Sequence, residues 1–276
     1  MSDSVCRGWR VRGRDIDLSR TLVMGILNVT PDSFSDGGMY EKADIAASHA
    51  KELVSLGADI IDIGGQSTRP GCTPITPDEE WSRLEPVLTR LCGRLDALIS
   101  IDTFYPEVAR RALALGADII NDVTGFADSQ MRRIAAESGC GCIIMHNDDI
   151  EELFPDDGSD APPDCRCTAA DNTVAAVTRF FEERTRLCIA DGIDERCIML
   201  DCGIGFGKSR AQDYLLLART GDCRSLARPM LAAASRKRVV RRYWSDLSPD
   251  EGTSAAHALA IAAGADAVRV HRLPLP

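Results

Sequence analysis

Carboxylates, amides and cations recur along this chain at one kind of position, at or just beyond the C-terminal end of a short apolar run. Asn28 ends the first run, Thr68 and Arg69 follow the second, and Asp102 ends the third. Asn121 and Asp122 belong to the fourth, His146 and Asn147 to the fifth, and Asp201 to the sixth. Ser235, Arg236 and Lys237 follow the seventh, while Arg269 and His271 lie in the eighth. Asp102, Asn121 and Asp201 offer acceptors and an amide that could read the edge of a polar heterocycle. Arg69, Lys237 and Arg269 are cations suited to an anion such as a phosphate group. Asn28 is a neutral oxygen donor of the kind that suits Mg²⁺ held chiefly by substrate phosphates and water. A flat nitrogenous ring beside a diphosphate fits this inventory. Taken singly, each residue reads equally well as a helix N-cap or a satisfied core group, so it is their joint placement that points to a site. The sequence presents neither a Ser/His/Asp arrangement nor an isolated lysine in an apolar strand as a Schiff-base candidate.

The elements that must position these residues follow from hydropathy patterning. Eight apolar runs predict strands over 21–29, 58–65, 97–103, 118–124, 141–147, 196–202, 229–235 and 266–271. Between them, helical stretches are expected over 42–56, 78–92, 106–115, 129–138, 171–191, 211–219 and 252–263. A hexapeptide occurs twice, Leu56-Gly-Ala-Asp-Ile-Ile61 and Leu115-Gly-Ala-Asp-Ile-Ile120, with a relative at Ala263-Gly-Ala-Asp-Ala-Val268. Its glycine suits the left-handed position that ends a helix, and the apolar run after it reads as a buried strand. Such alternation predicts a single-domain α/β protein, a (β/α)8 TIM barrel over 21–276 whose active site lies at the C-terminal ends of the strands. A doubly wound open sheet is the runner-up, without the GxGxxG turn that would favour it. Residues 1–20 form an N-terminal extension, expected as a hairpin at the barrel bottom. Only five residues follow His271, so the eighth helix is expected to be missing.

Composition narrows the class. The 276 residues carry 32 Lys+Arg against 42 Asp+Glu, a formal charge of −10, which argues against a nucleic-acid partner. The basic run Arg236–Arg242 reads as a solvated helix face. The N-terminal segment lacks a signal-peptide core and no run is long enough for a membrane helix. Eleven cysteines read as free thiols of a cytoplasmic protein, and the CxC pairs at 140–142 and 165–167 lack the partners of a zinc site. Three segments are more specific. Residues 24–38 (MGILNVTPDSFSDGG) have the composition of a mobile lid, 64–71 (GGQSTRPG) combine glycines with a hydroxyl and an arginine, and 203–208 (GIGFGK) read as a flexible glycine loop. The last is not a Walker A loop, because Cys202 stands where its first glycine would be. Residues 148–170, with eight acidic residues and three prolines, read as a long, solvated and disordered insertion.

At this point the chain closely resembles the dihydropteroate synthases of folate biosynthesis. MGILNVTPDSFSDGG and GGQSTRPG are similar to the family's two signatures. SIDT (100–103), IND (120–122), DCGIGFGK (201–208), SRK (235–237) and RVH (269–271) follow in family order over roughly 21–271. The resemblance implies condensation of 6-hydroxymethyl-7,8-dihydropterin diphosphate with 4-aminobenzoate, giving 7,8-dihydropteroate and diphosphate, in an enzyme family that is a sulfonamide target. Carried over, Asn28 would ligate Mg²⁺ bound to the diphosphate, and Thr68, Arg69, Arg269 and His271 would hold the diphosphate oxygens. Asp102, Asn121, Asp201 and Lys237 would bind the pterin. Phe34, Pro70, Ser235 and Lys237 would frame the aminobenzoate site under the 30–38 lid. Asp102, Asp201, Lys237 and Arg269 are the expected catalytic set. The resemblance further implies a homodimer, an interface on which the missing last helix bears.

The sequence departs from the family at Gln66 (usually Glu), Cys202 (usually Pro), Asn147-Asp148 and Arg272 (usually Asp), and Cys202 is expected to sensitise the site to thiol reagents. Two other readings compete. A barrel methyltransferase of the methyltetrahydrofolate type would share the pterin-binding residues but has no use for the anion set. A non-catalytic homologue acting as a binding protein would account for the departures.

Overall fold

The computed structural model describes residues 8–30, 39–67, 72–159, 161–225 and 227–273. Two short strands, β1 (Trp9–Val11) and β2 (Arg14–Ile16), form an antiparallel hairpin. Eight parallel strands then alternate with helices. They are β3 (Leu22–Asn28), β4 (Ile60–Gly64), β5 (Leu98–Asp102), β6 (Ile119–Asp122), β7 (Gly141–Met145), β8 (Ile198–Asp201), β9 (Met230–Ala232) and β10 (Ala267–Val270). Their order is their order in the chain, and β10 pairs with both β9 and β3, so the sheet closes into a barrel rather than an open doubly wound sheet.

The helices between consecutive barrel strands are α1 (Met39–Ser55), α2 (Pro77–Leu91), α3 (Pro106–Leu115), α4 (Ser129–Ser138), α5 (Thr168–Ala190) and α6 (Arg210–Ala218). Where one helix was expected between β9 and β10 there are two, α7 (Arg238–Tyr243) and α8 (Pro249–Ala262). The basic run supplies α7, whose Val239 and Val240 are buried. Among the described residues no helix follows β10. Local chemistry sets the helix starts. Thr76 caps α2 ahead of Pro77 and three acidic residues, and Ser209/Gln212 and Ser248/Glu251 form capping boxes on α6 and α8. No helix among the described residues is long and apolar enough to cross a membrane.

Period-two alternation divides the strands. Outward residues such as Ile61, Ile63, Ile99, Ile101, Ile144 and Leu200 join the helices in the main core. Inward residues near the strand starts, among them Met24, Ile60, Leu98, Ile119, Ile143 and Met199, form a separate apolar plug with Trp9 and Val11 of the hairpin. The Trp9 indole donates to the Cys197 carbonyl (2.9 Å) and is fully buried. A side chain of that size withdraws roughly 200 Å² from water, about 5 kcal/mol of gross hydrophobic stabilisation. Gly141 leaves room for it, since a Cβ there would lie 2.9 Å from the Trp9 ring and 3.0 Å from Val11.

The repeated hexapeptide acquires a physical meaning at this same end. Gly57, Gly116 and Gly264 all take φ near +100° (105°, 110° and 103°), which terminates a helix. Two residues on, Asp59, Asp118 and Asp266 each reach the first turns of the preceding strand. The backbone N–H of each donates to the carbonyl of Val23, Ile99 or Met230 (2.8 Å each), and its carboxylate accepts that residue's N–H at 2.9, 3.0 and 2.8 Å. Each carboxylate also holds an arginine: Arg20, Arg14 and Arg224, respectively.

The described residues of 148–170 are not the disordered insertion their composition suggests. Ile150 N–H donates to Gly207 O (2.9 Å), Gln212 Nε2 donates to Ile150 O (2.6 Å), and Ser209 Oγ donates to Phe154 O (2.6 Å). Arg242 holds Ser159 O (2.6 Å) and Arg219 holds Cys165 O (3.1 Å). The backbone carbonyls of this segment therefore bind side chains of α6, α7 and the turn after α6, a role that its acidic composition conceals.

Candidate active site

Above the apolar plug the same alternation turns polar residues inward. On β4 the inward positions are Ile60, Asp62 and Gly64, on β5 Leu98, Ser100 and Asp102, on β6 Ile119 and Asn121, and on β8 Met199 and Asp201. Arg269, on β10, crosses the barrel. Its Nε donates to Asp62 Oδ2 (2.7 Å) and its Nη2 to Asp102 Oδ2 (3.1 Å). Asn121 Nδ2 also donates to Asp62 Oδ2 (3.1 Å). Asp62 is thus the shared acceptor of two predicted site residues, and sequence reasoning missed it. It lies mid-run in ADIIDIGG, away from the strand ends, but a carboxylate at an inward position of an otherwise apolar strand was the available signal.

Three buried oxygens in this cluster, Asp62 Oδ1, Ser100 Oγ and Asp102 Oδ1, have no hydrogen-bond partner. Unpaired buried acceptors cost about 1–3 kcal/mol each, and their concentration in one cleft marks a surface organised to meet a donor-rich ligand. Burial pushes the Asp102 carboxyl up to about 7 against the pull of Arg269, with Asp62 adding to the rise. Burial likewise raises Asp201, opposed by the Lys237 ammonium and by the Gly203 N–H, which donates to Asp201 Oδ1 (2.8 Å). Desolvation brings Lys237 down to about 8, opposed by Asp201. The Lys237 ammonium donates to Ile204 O (2.6 Å) and lies over the Phe206 ring. Asp102, Asn121, Asp201, Lys237 and Arg269 therefore share one mouth.

The glycine loop after β8 is pinned rather than flexible. Gly203, Gly205 and Gly207 all have positive φ. A Cβ at Gly203 would lie 1.9 Å from His146 O, and one at Gly207 would lie 2.7 Å from Asp148 O. Gly205 N–H donates to buried Asp213 (2.6 Å), and the buried Lys208 ammonium binds Phe206 O (2.7 Å) and His146 Nδ1 (2.9 Å). Burial and that ammonium bring His146 down to about 3, so it stays neutral and acts as a structural acceptor. Asp122 is structural too, accepting N–H groups of Thr124 (2.8 Å) and Phe126 (3.1 Å) at the turn after β6.

On the opposite lip, Ser235 Oγ accepts the His271 N–H (3.2 Å) and meets its Nδ1 (3.0 Å), which joins the ends of β9 and β10. Asn28 is exposed at the end of β3 and is paired in register with Gly64, which pairs with Asp102. A Cβ at Gly64 would sit 3.7 Å from Asn28 Oδ1 and 3.6 Å from Asp102 Cβ, ordinary contact distances that show the two side chains meeting over this residue. Among the described residues no three His, Cys, Asp or Glu side chains gather as a metal cage. One neutral oxygen beside a carboxylate fits a hard cation that takes most of its ligands from a bound substrate. Phe34, Thr68, Arg69, Pro70 and residues 31–38 of the expected 30–38 lid lie outside the described residues.

Two departures find physical reasons. Gln66 is buried, and its Oε1 accepts the Ile75 N–H (3.4 Å). Its Nε2 donates to Glu80 (3.2 Å), which also accepts from Thr103 Oγ1 (2.7 Å), so an amide here avoids facing one buried carboxylate with another. Cys202 is not the reactive thiol expected. It is buried against Cys223, and that contact together with desolvation raises its pKa well above the ordinary thiol range.

Comparison with known proteins bears on this cleft. Residues 24–271 match the family model of pterin binding enzymes. A dihydropteroate synthase of Bacillus subtilis is 42% identical over 91% of this chain and 84% of its own. A probable bifunctional folylpolyglutamate synthase/dihydropteroate synthase of Halobacterium salinarum is 45% identical over 92% of this chain, which spans only 30% of that longer protein. A solved Xanthomonas albilineans dihydropteroate synthase with 4-aminobenzoic acid superimposes with a TM-score of 0.80 at 41% identity, covering 94% of this chain and 90% of that one.

Proposed function

This chain belongs to the pterin binding enzyme family, among the dihydropteroate synthases, and we infer from its barrel mouth how it carries out that reaction. It condenses 6-hydroxymethyl-7,8-dihydropterin diphosphate with 4-aminobenzoate, forming a C–N bond at the pterin methylene as the C–O bond to diphosphate breaks. The observation that supports this most directly is the inward cluster of Asp62, Ser100, Asp102, Asn121 and Asp201, with its unpartnered acceptor oxygens, beside two cationic side chains.

In this reading the amino and ring N–H groups of the pterin pair with Asp102, Asn121 and Asp201, and Lys237 donates to a ring acceptor. As diphosphate leaves, positive charge develops on the pterin and its methylene carbon. Asp102 and Asp201 face that charge as fixed anions in a water-poor cleft, where preorganised groups act most strongly. Arg269, His271 and, by resemblance, Thr68 and Arg69 receive the departing negative charge. Asn28 would hold Mg²⁺ together with the diphosphate, and the ion, when bound, would supply further positive charge at the leaving group. Ser235, with Phe34 and Pro70, frames the aminobenzoate. The arylamine is neutral at pH 7, so it attacks without a strong general base, and its surplus proton leaves to solvent or to the product diphosphate. Asp62 touches Asn121 and Arg269 and acts by holding both in register.

Eleven cysteines, ten of them free thiols among the described residues, support a cytoplasmic location for the enzyme. The test of function is diphosphate release from the pterin diphosphate, measured with and without 4-aminobenzoate and with and without Mg²⁺. Release that requires both supports the whole reading. Folded protein with no aminobenzoate-dependent turnover sinks it, and turnover indifferent to Mg²⁺ removes the metal from it.

A further inference from the structure

Lys237 and Ser235 sit on a turn whose shape nothing within the turn accounts for. Lys237 N–H donates to Ala234 O (3.0 Å), closing a four-residue turn with Arg236 at φ +56°. That third position is normally taken by glycine or asparagine, because a side chain there is strained. A non-glycine residue keeps such a conformation only when its surroundings over-determine it.

The surroundings are one face of α8. Asp250 pairs with Arg236 through two bonds, Nε to Oδ1 at 2.8 Å and Nη2 to Oδ2 at 3.1 Å. One turn on, the buried Thr253 Oγ1 accepts the Arg236 N–H (3.0 Å) while donating to Pro249 O (2.7 Å). A further turn on, His257 is fully buried and its Nε2 accepts the Ala234 N–H (3.2 Å). Spacings of three and four residues put all of them on one stripe of the helix. Burial brings His257 down to about 4, which keeps the ring neutral and its Nε2 an acceptor. Asp250 also meets Arg272 (3.6 Å), just past His271, so the same helix end touches both strand ends on this lip. Gly252 brings α8 against α7, which starts immediately after Lys237, since a Cβ there would lie 2.8 Å from Val240 Cγ1.

We propose that α8 is the positioning element of this lip, with Asp250, Thr253 and His257 as positioning residues that hold the 234–237 turn so that Ser235 and Lys237 face the bound substrates. The catalytic part of this proposal rests on the synthase reading above. The geometric part stands on the turn alone.

Thr253→Val keeps the side-chain shape and removes the acceptor, while Thr253→Ser restores it. Asp128→Ala is the control, since it removes the N-cap of α4, a helix that carries none of these residues. Two measurements on the full chain decide the matter: backbone hydrogen exchange across 234–237, and kcat and KM for each substrate. In Thr253→Val we expect exchange at these residues to quicken and kcat/KM to fall, each about tenfold. Thr253→Ser should stay within about twofold of wild type. Asp128→Ala should lower Tm and leave both readouts unchanged. His257→Leu repeats the test at the other end of the turn, with His257→Gln as its rescue. Wild-type exchange and kinetics in folded Thr253→Val and His257→Leu overturn the proposal, as does a loss that follows Tm equally in all variants. If the wild type makes no dihydropteroate, the synthase reading fails and exchange alone decides whether α8 holds the turn.

Discussion

Three aspartates at the bottom of the barrel and three at its mouth show what one side chain does in two settings. Asp59, Asp118 and Asp266 each accept a strand N–H and an arginine, so each carboxylate there is partnered by the protein itself. Asp62, Asp102 and Asp201 stand on inward strand positions, with less than they need. Two of them carry an oxygen without a partner, and burial raises the carboxyl pKa of Asp102 and Asp201. The bottom is chemically complete and serves the fold. The mouth leaves acceptors unpaired within the protein and raises the pKa of Asp102, which is the condition of a binding site.

The largest expected effect separates these two ends outright. Asp102→Ala or Lys237→Ala should cost about 10³-fold in turnover, the scale of losing a preorganised charged group, with the circular dichroism of the fold unchanged. Wild-type rates in either variant would refute the assigned roles. Asp266→Ala should behave in the opposite sense. It strips the Met230 N–H and Arg224 of their acceptor and should lower unfolding free energy by about 1–3 kcal/mol, with kcat unchanged in folded protein. Denaturant melts beside steady-state rates would expose a failure of this mirror relation.

The smallest effect is a pH dependence in which stability and activity diverge. The folded pKa of Asp102 is raised above that of the unfolded chain, so its stabilising contribution is full below about 4 and is lost as pH rises through about 7. Asp122, raised to about 6 by burial, has the same sign. Lowering pH from 8 to 5 should therefore add stability through these groups, and Asp102→Asn should flatten part of that slope in Tm. Over the same window kcat/KM for the pterin diphosphate should fall, about tenfold one unit below the Asp102 pKa, because the ring cation needs the ionised form. Activity that holds steady down to pH 5 would show that Asp102 stays ionised in the free enzyme.

Much of the barrel was legible in the chain. All eight predicted runs contain an observed strand, because a strand buried on both faces is largely apolar and left-handed glycines such as Gly57, Gly116 and Gly264 end the helices before several of them. That Asp102, Asn121, Asp201, Lys237 and Arg269 gather on one face was legible as well, because their strand ends converge there once the sheet closes. Asp62 escaped notice because its importance depends on which partners cross the barrel to reach it, Arg269 from 207 residues away and Asn121 from 59. Residues 148–170 were misread for a related reason. Polarity predicts solvation, but Arg219, Arg242 and Gln212 bind this segment through its backbone carbonyls, which composition does not record.

By itself the amino-acid sequence determined the alternation of elements, the helix caps and the end of the barrel at which chemistry gathers, since each depends on neighbours within a few residues. Only the tertiary structure decided how the charges are shared there. Arg269 proved to be engaged with two carboxylates, and the glycine loop proved to be pinned by Asp201, Asp213, Lys208 and Lys237. The physical reason is common to both cases. A pKa and a hydrogen bond depend on distance and desolvation across the closed barrel, and residues far apart in the chain acquire both only when the eighth strand meets the first.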